Sequence, residues 1–204
     1  MKTFRMIAAM AAAAFAVSAE PALAHHAMGG ATPATFLQGL LSGLAHPVIG
    51  LDHLAAVLAV GALAAFHRAG LALALAFVAA IALGAGLHLS AVTVPGAELI
   101  TAASVVALGV LLFGGAASTP LLLAAFAAAG LVHGYVQAES IIGAEPTPLA
   151  AYLLGLALVQ GALAIGTALA VRQLAAAPTP ALRAAGAAVA AVGLVFGAQA
   201  LAII

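Results

Sequence analysis

The sequence predicts an all-α fold: a polytopic membrane helix bundle of six transmembrane helices, the first one broken or preceded by a half-helix at His46-Pro47. Three observations predict it. The 204 residues are 67% hydrophobic and 5% charged, with a mean hydropathy of +1.31, whereas a soluble domain is about one quarter charged. Five uninterrupted apolar runs, at 69–88, 97–115, 120–140, 148–171 and 183–204, approach the length of about 20 residues that crosses a bilayer. The few arginines fall where one orientation places them all on one side.

The chain begins with a separate unit. Lys2 and Arg5 precede an apolar stretch, Met6 to Val17, and Ala22-Leu23-Ala24 gives a small-x-small pattern. This is the pattern of a secretory signal peptide cut after Ala24. The expected organisation is a cleaved leader over 1–24 and one six-span membrane domain over 25–204, starting with His25-His26 outside the cytoplasm. Thr35 to Ala45 is too short to span, so 34–45 reads as a half-helix and 47–66 as the first full span. Gly70, Pro120 and Pro148 stand at the starts of later spans, where such residues do least harm. Short connections favour antiparallel neighbours. Abundant glycine lets helix backbones approach closely in lipid.

Arginine placement tests this count. With the mature N-terminus outside, Arg68, Arg172 and Arg183 all face the cytoplasm, as the positive-inside rule asks. Counting 34–45 as a full span would move all three outside. Six spans also place the C-terminus outside. Both mature termini are therefore expected in the periplasm of a bacterial inner membrane.

Composition excludes several functions. With no cysteine there is no disulfide, thiolate metal site or cysteine nucleophile. The net charge is zero and no basic patch invites nucleic acid. No phosphate-binding GxxxxGK[ST] loop is present, and no segment is fit to form an ATPase domain.

The scarce ionisable groups cluster. The stretch HPVIGLDHLAAVLAVG, 46–61, sets His46, Asp52 and His53 in an apolar run. On the expected topology these residues, Glu98, and the i,i+4 pair His133 and Gln137 with Glu139 all fall in the outer half. An ionisable residue at the centre of a membrane helix costs about 2.5–3.5 kcal/mol, so each is a candidate for function. Hydrogen bonding between helices is the plainer reading for any single histidine. Imidazole and carboxylate together suit divalent first-row metals. His46 and His53 are i,i+7 and would stand about 10 Å apart along an unbroken helix. Ligand atoms of one ion are much closer, because metal–nitrogen bonds are about 2.0–2.1 Å. Pro47 and Gly50 lie between them, so a discontinuous helix there would remove the conflict; otherwise the two are separate stations. Asp52 is placed either to ligate or to hold a ligand histidine. His25 and His26, beside Gly29-Gly30, read as a capture point at the entrance or as a disordered tail. His67 and His88 read as incidental.

These residues resemble a known family. The 46–61 stretch is similar to the signature of the HupE/UreJ nickel and cobalt permeases, HPxxGxDHxxxMxxxG, through His46, Pro47, Gly50, Asp52, His53 and Gly61. VPGAELITAASVVALGVLL, 94–112, looks like the family's third-span motif with Glu98 at the acidic position. LVHGYVQAE, 131–139, looks like its span-four motif, with His133, Gly134, Tyr135 and Glu139. Two positions depart: the first motif's methionine is Val57, and the second histidine of the span-four motif is Gln137, which still offers a carbonyl oxygen.

The resemblance implies a secondary permease that moves Ni²⁺ or Co²⁺ inward as transported substrate, with no prosthetic group, for metalloenzymes such as hydrogenase or urease. The metal path would comprise His46, Asp52, His53, Glu98, His133 and Glu139, with Gln137, His25 and His26. Expected partners are the lipid bilayer and the divalent ion; an outer-membrane metal supplier and a homo-oligomer also fit this reading, and nucleic acid does not. Protonation of histidine would weaken uptake below about pH 6. Two rival classes remain open, and only the first needs a metal site. One is an intramembrane zinc-dependent hydrolase using a serine such as Ser104. The other is a non-transporting membrane partner of metalloenzyme maturation. A continuous polar route inward would favour the permease, yet little polar lining beyond Thr, Ser and Gln160 is visible there.

Overall fold

Apolar runs in lipid become helices because every backbone N–H and C=O must be satisfied within the segment. The computed structural model describes residues 31–115 and 117–203. The leader expected at 1–24, with His25 and His26, lies outside them. Among the described residues seven α-helices follow in order: α1 (Phe36–Ile49), α2 (Leu51–Ala64), α3 (Gly70–Leu89), α4 (Ala97–Gly114), α5 (Thr119–Gln137), α6 (Pro146–Leu174) and α7 (Pro180–Ala200). A 3₁₀ turn, Ala138–Ile141, follows α5, and the described residues contain no strand. Thr35, Ser118 and Thr179 accept the first free backbone N–H groups of α1, α5 and α7. A proline occupies the first turn of α5, α6 and α7, where a missing N–H costs nothing.

Helices α3 to α7 are each long and apolar enough to cross a membrane, and α1 with α2 passes as one further span bent by 79°. The chain is thus a multi-pass membrane protein, with five spans among the described residues, or six counting the bent pair. The break falls at Gly50, three residues beyond the expected point between 45 and 47. Pro47 is accommodated inside α1, near its end, so it removes a single late hydrogen bond. Gly50 then turns extended, at φ −74° and ψ 105°, and the ladder stops. Neither 14-residue half is long enough to span by itself, at about 21 Å against a hydrocarbon core of about 30 Å.

Three close helix pairs enclose the bundle: α1 with α6, α3 with α5, and α4 with α7. Glycines set their separation. A Cβ at Gly43 would overlap the Tyr152 carbonyl, one at Gly134 the Ile81 carbonyl, and one at Gly109 the Ala190 backbone nitrogen. Backbones this close gain dispersion and exclude lipid. The short α2 touches all six other helices and buries Ala56, Val57 and every residue from Ala59 to Ala64. Leucines such as Leu75, Leu83, Leu158 and Leu194 remain exposed around the outside, as a lipid-facing surface requires.

The two ends differ in charge. At one, the Arg172 guanidinium donates from Nε to Ala65 O and from an Nη to His67 O, both at 2.8 Å. It thereby closes the C-terminal end of α2, where a cation also offsets the helix dipole. Arg68 and Arg183 lie at this end, where a cavity of about 340 Å³ is lined by Phe66, His67, Arg68 and Arg172 among others. The opposite end carries Glu98, Glu139 and Glu145.

Close approach gives a direct test. Gly134→Ala would force its methyl into the α3 backbone and should destabilise by about 1–3 kcal/mol. Gly161 faces open space, so Gly161→Ala should melt at or above the wild-type temperature. Thermal unfolding in detergent, measured on both variants, checks the contrast.

Candidate metal site

The break at Gly50 folds the end of α1 against the start of α2. It brings His46 and His53 together with ring centroids 5.4 Å apart and planes inclined by 41°. Two imidazoles sharing one ion through bonds of about 2.0–2.1 Å have centroids roughly 4.5–6.4 Å apart. The backbone break therefore converts an axial separation of about 10 Å into a distance at which both rings can serve one cation. Both are buried, at 3% and 1% exposure, and Asp52 beside them is 5% exposed. Asp52 stands in the first turn of α2, where the positive end of the helix dipole favours a carboxylate. Its Oδ2 is 3.8 Å from His53 Nδ1.

Gly50 makes room for this arrangement. A Cβ there would lie 2.8 Å from His53 Cδ2 and 3.3 Å from Asp52 Oδ1. The residue that ends α1 is thus also one whose side chain would collide with the site.

Helix α5 supplies His133, fully buried. Its Nδ1 is 2.7 Å from His53 Nδ1, and its Nε2 is 3.1 Å from Ser104 Oγ on α4. Ser104 in turn donates to Thr101 O at 2.7 Å. Phe77 of α3 stands by the ring, centroid to centroid 6.4 Å. With both nitrogens engaged, His133 acts on His53 rather than facing an ion beside Gln137.

A second network holds His46. Its Nδ1 lies 3.2 Å from both Tyr152 Oη and Ser140 Oγ. Tyr152 donates to the Gln137 backbone carbonyl at 2.6 Å. The Gln137 side-chain carbonyl accepts from Gln160 Nε2 at 3.0 Å, so this oxygen is already engaged by α6. The i,i+4 pair His133 and Gln137 therefore shares a face but serves two different networks.

The remaining expected residues sit elsewhere. Glu98 and Glu139 are exposed, in the first turn of α4 and in the 3₁₀ turn. Val57 is completely buried in α2 among apolar neighbours. His88 packs at a tilt against Tyr135 with centroids 4.3 Å apart, and Tyr135 pins the loop through Val92 O and Val94 N. His67 meets Thr119 at the arginine-bearing end. Among the described residues, no three His, Cys, Asp or Glu side chains are posed to hold an ion together. Sequence reasoning missed Tyr152, Ser140 and Thr101, and gave Ser104 only a hydrolytic role. Tyr152 carried a usable signal, since the chain has only two tyrosines and a polar group in a membrane helix asks for a partner.

The family model for HupE / UreJ protein matches residues 12–196. The chain belongs to the HupE/UreJ family. No curated protein and no solved structure matches it. HupE/UreJ members are transporters or accessory proteins, and membership gives this chain a nickel/cobalt transport-related role. The family's 46–61 signature thereby gains a physical meaning in this member: its glycine breaks the helix and its histidines meet across the break.

Gly50→Ala tests that coupling. The added methyl displaces the His53 ring, so metal accumulation should fall at least about 10-fold, the low end for disturbing a ligand's support, at unchanged membrane abundance. Radiometal accumulation normalised to immunoblotted protein measures it.

Proposed function

We propose that this protein is a secondary, ATP-independent permease, not an enzyme, that takes up Ni²⁺ or Co²⁺ across the bacterial inner membrane. The observation that carries the reading is the convergence of His46, Asp52 and His53 at a broken helix inside a multi-pass membrane protein. Two neutral imidazoles and a carboxylate are donors suited to a late divalent metal. The protein supplies few ligands, so the ion keeps part of its coordination as water and can leave again. Transporters place their ion sites at such discontinuous helices.

The orientation follows from charge. The arginine-bearing end faces the cytoplasm and both mature termini face the periplasm. The ion enters from the end with Glu98 and Glu139, which act as outer attractors together with His25 and His26 at the mature start. An inside-negative potential favours entry by about 2.3 kcal/mol per charge per 100 mV, hence about 4.6 for a dication. Gln160 of α6 donates to the Gln137 side chain of α5 at 3.0 Å, a further buried polar pair next to the Tyr152 network.

A zinc hydrolase is favoured less. Catalytic zinc takes three protein ligands and a water, and among the described residues no three His, Cys, Asp or Glu side chains are posed to hold one ion. Ser104 does contact a histidine, but its hydroxyl hydrogen goes to the Thr101 carbonyl, which leaves Oγ without a base.

Accumulation of ⁶³Ni or ⁵⁷Co in cells, at matched membrane abundance, tests the permease. Asp52→Asn and His53→Ala should each lower uptake by at least about 10-fold. Uptake at the wild-type rate in both would overturn the site.

A further inference from the structure

We infer that Ser104, acting through His133, fixes the ring tautomer of His53, and that Tyr152 fixes that of His46, so that both rings present an unprotonated Nε2 to the ion. This rests on the reading of His46 and His53 as ligands of the transported metal. It makes Ser104, His133 and Tyr152 positioning residues, contributed by three helices that supply no ligand.

Proton counting gives the direction. A serine hydroxyl has one hydrogen. Ser104 directs it to Thr101 O at 2.7 Å, closer than His133 Nε2 at 3.1 Å. The contact with His133 therefore runs the other way, with Nε2–H donating to Oγ. A neutral imidazole carries a single N–H, so His133 Nδ1 bears a lone pair. That nitrogen is 2.7 Å from His53 Nδ1. Two lone pairs would repel at this distance, so His53 Nδ1 carries the hydrogen and donates. Asp52 Oδ2, 3.8 Å from the same nitrogen, favours a hydrogen there too. Neutral His53 is then bare at Nε2.

The network around His46 has the same polarity. Tyr152 commits its hydrogen to the Gln137 carbonyl at 2.6 Å. Its oxygen can only accept from His46 Nδ1 at 3.2 Å. Ser140, also 3.2 Å from that nitrogen, lies within reach of the Gln137 carbonyl and the Tyr152 oxygen as acceptors for its own hydrogen. His46 is likewise bare at Nε2. A free histidine in water prefers its hydrogen on Nε2, so the networks select the less favoured tautomer in both rings. Metals bind the bare nitrogen of neutral imidazole while the other nitrogen donates outward. The geometry matches that division.

The test reads tautomers directly. Metal-free protein with ¹⁵N-labelled histidine, in lipid nanodiscs, should show Nδ1–H at His46 and His53 and Nε2–H at His133 in long-range ¹⁵N–¹H spectra. Ser104→Ala removes the acceptor for His133 Nε2–H. The chain can then reverse, placing the hydrogen on Nε2 of His53, and Ni²⁺ affinity by titration should fall about 10–100-fold. Ser104→Thr keeps the hydroxyl and should restore both readouts. Tyr152→Phe should change the tautomer of His46 and leave that of His53. Nε2–H at His53 in the wild type overturns the inference. So does Ser104→Ala with unchanged tautomers, or Ser104→Thr as impaired as Ser104→Ala. The expected tautomers in a wild type that binds no Ni²⁺ would uphold the assignment and remove the permease reading instead.

Discussion

A helix that stops inside a membrane exposes backbone groups that lipid cannot satisfy. Everything else in this structure is arranged around one such stop, at Gly50. The break is tolerable because protein encloses it. Helix α1 is pressed to α6 at glycines that leave no gap, and α2 is buried against all six other helices. What the break yields is a place where side chains from two helix ends meet, and the chain places two histidines and an aspartate there.

Polar groups gathered in an apolar interior need partners of their own, and the surrounding helices supply them. Ser104 on α4 and His133 on α5 hold one ring, and Tyr152 on α6 holds the other. Shared in this way, the cost of burial is met by hydrogen bonds rather than by solvent. The charges outside follow the same axis. Acids gather at one end, arginines at the other, and α2 runs between them with Arg172 closing its far terminus.

Much of this was legible in the sequence because lipid allows few alternatives. Apolar runs of span length become helices, and helices α3 to α7 stand within about three residues of their expected starts. Helical rise alone showed that His46 and His53 could share one ion only if the helix broke between them. It did not show where the break would fall. Pro47 and Gly50 both offered one; a proline late in a helix costs one bond, while Gly50 was needed for its missing side chain. The networks behind the histidines were not legible. They join residues 29 to 106 positions apart, and a serine or tyrosine within an apolar helix gives no hint of which neighbour it will meet. Glu98 and Glu139 share the outer end in sequence terms but stay at the surface, because side-chain direction depends on helix rotation that alanine-rich runs leave undefined.

The central claim is that the Gly50 break assembles one cation site from His46 and His53. X-ray absorption at the nickel edge of the purified, loaded protein tests it most directly, because ring scattering counts bound imidazoles. The account predicts two imidazole nitrogens with oxygen donors completing the shell, and one fewer imidazole in each of His46→Ala and His53→Ala. A nickel shell without imidazole, or one unchanged in both variants, would contradict it.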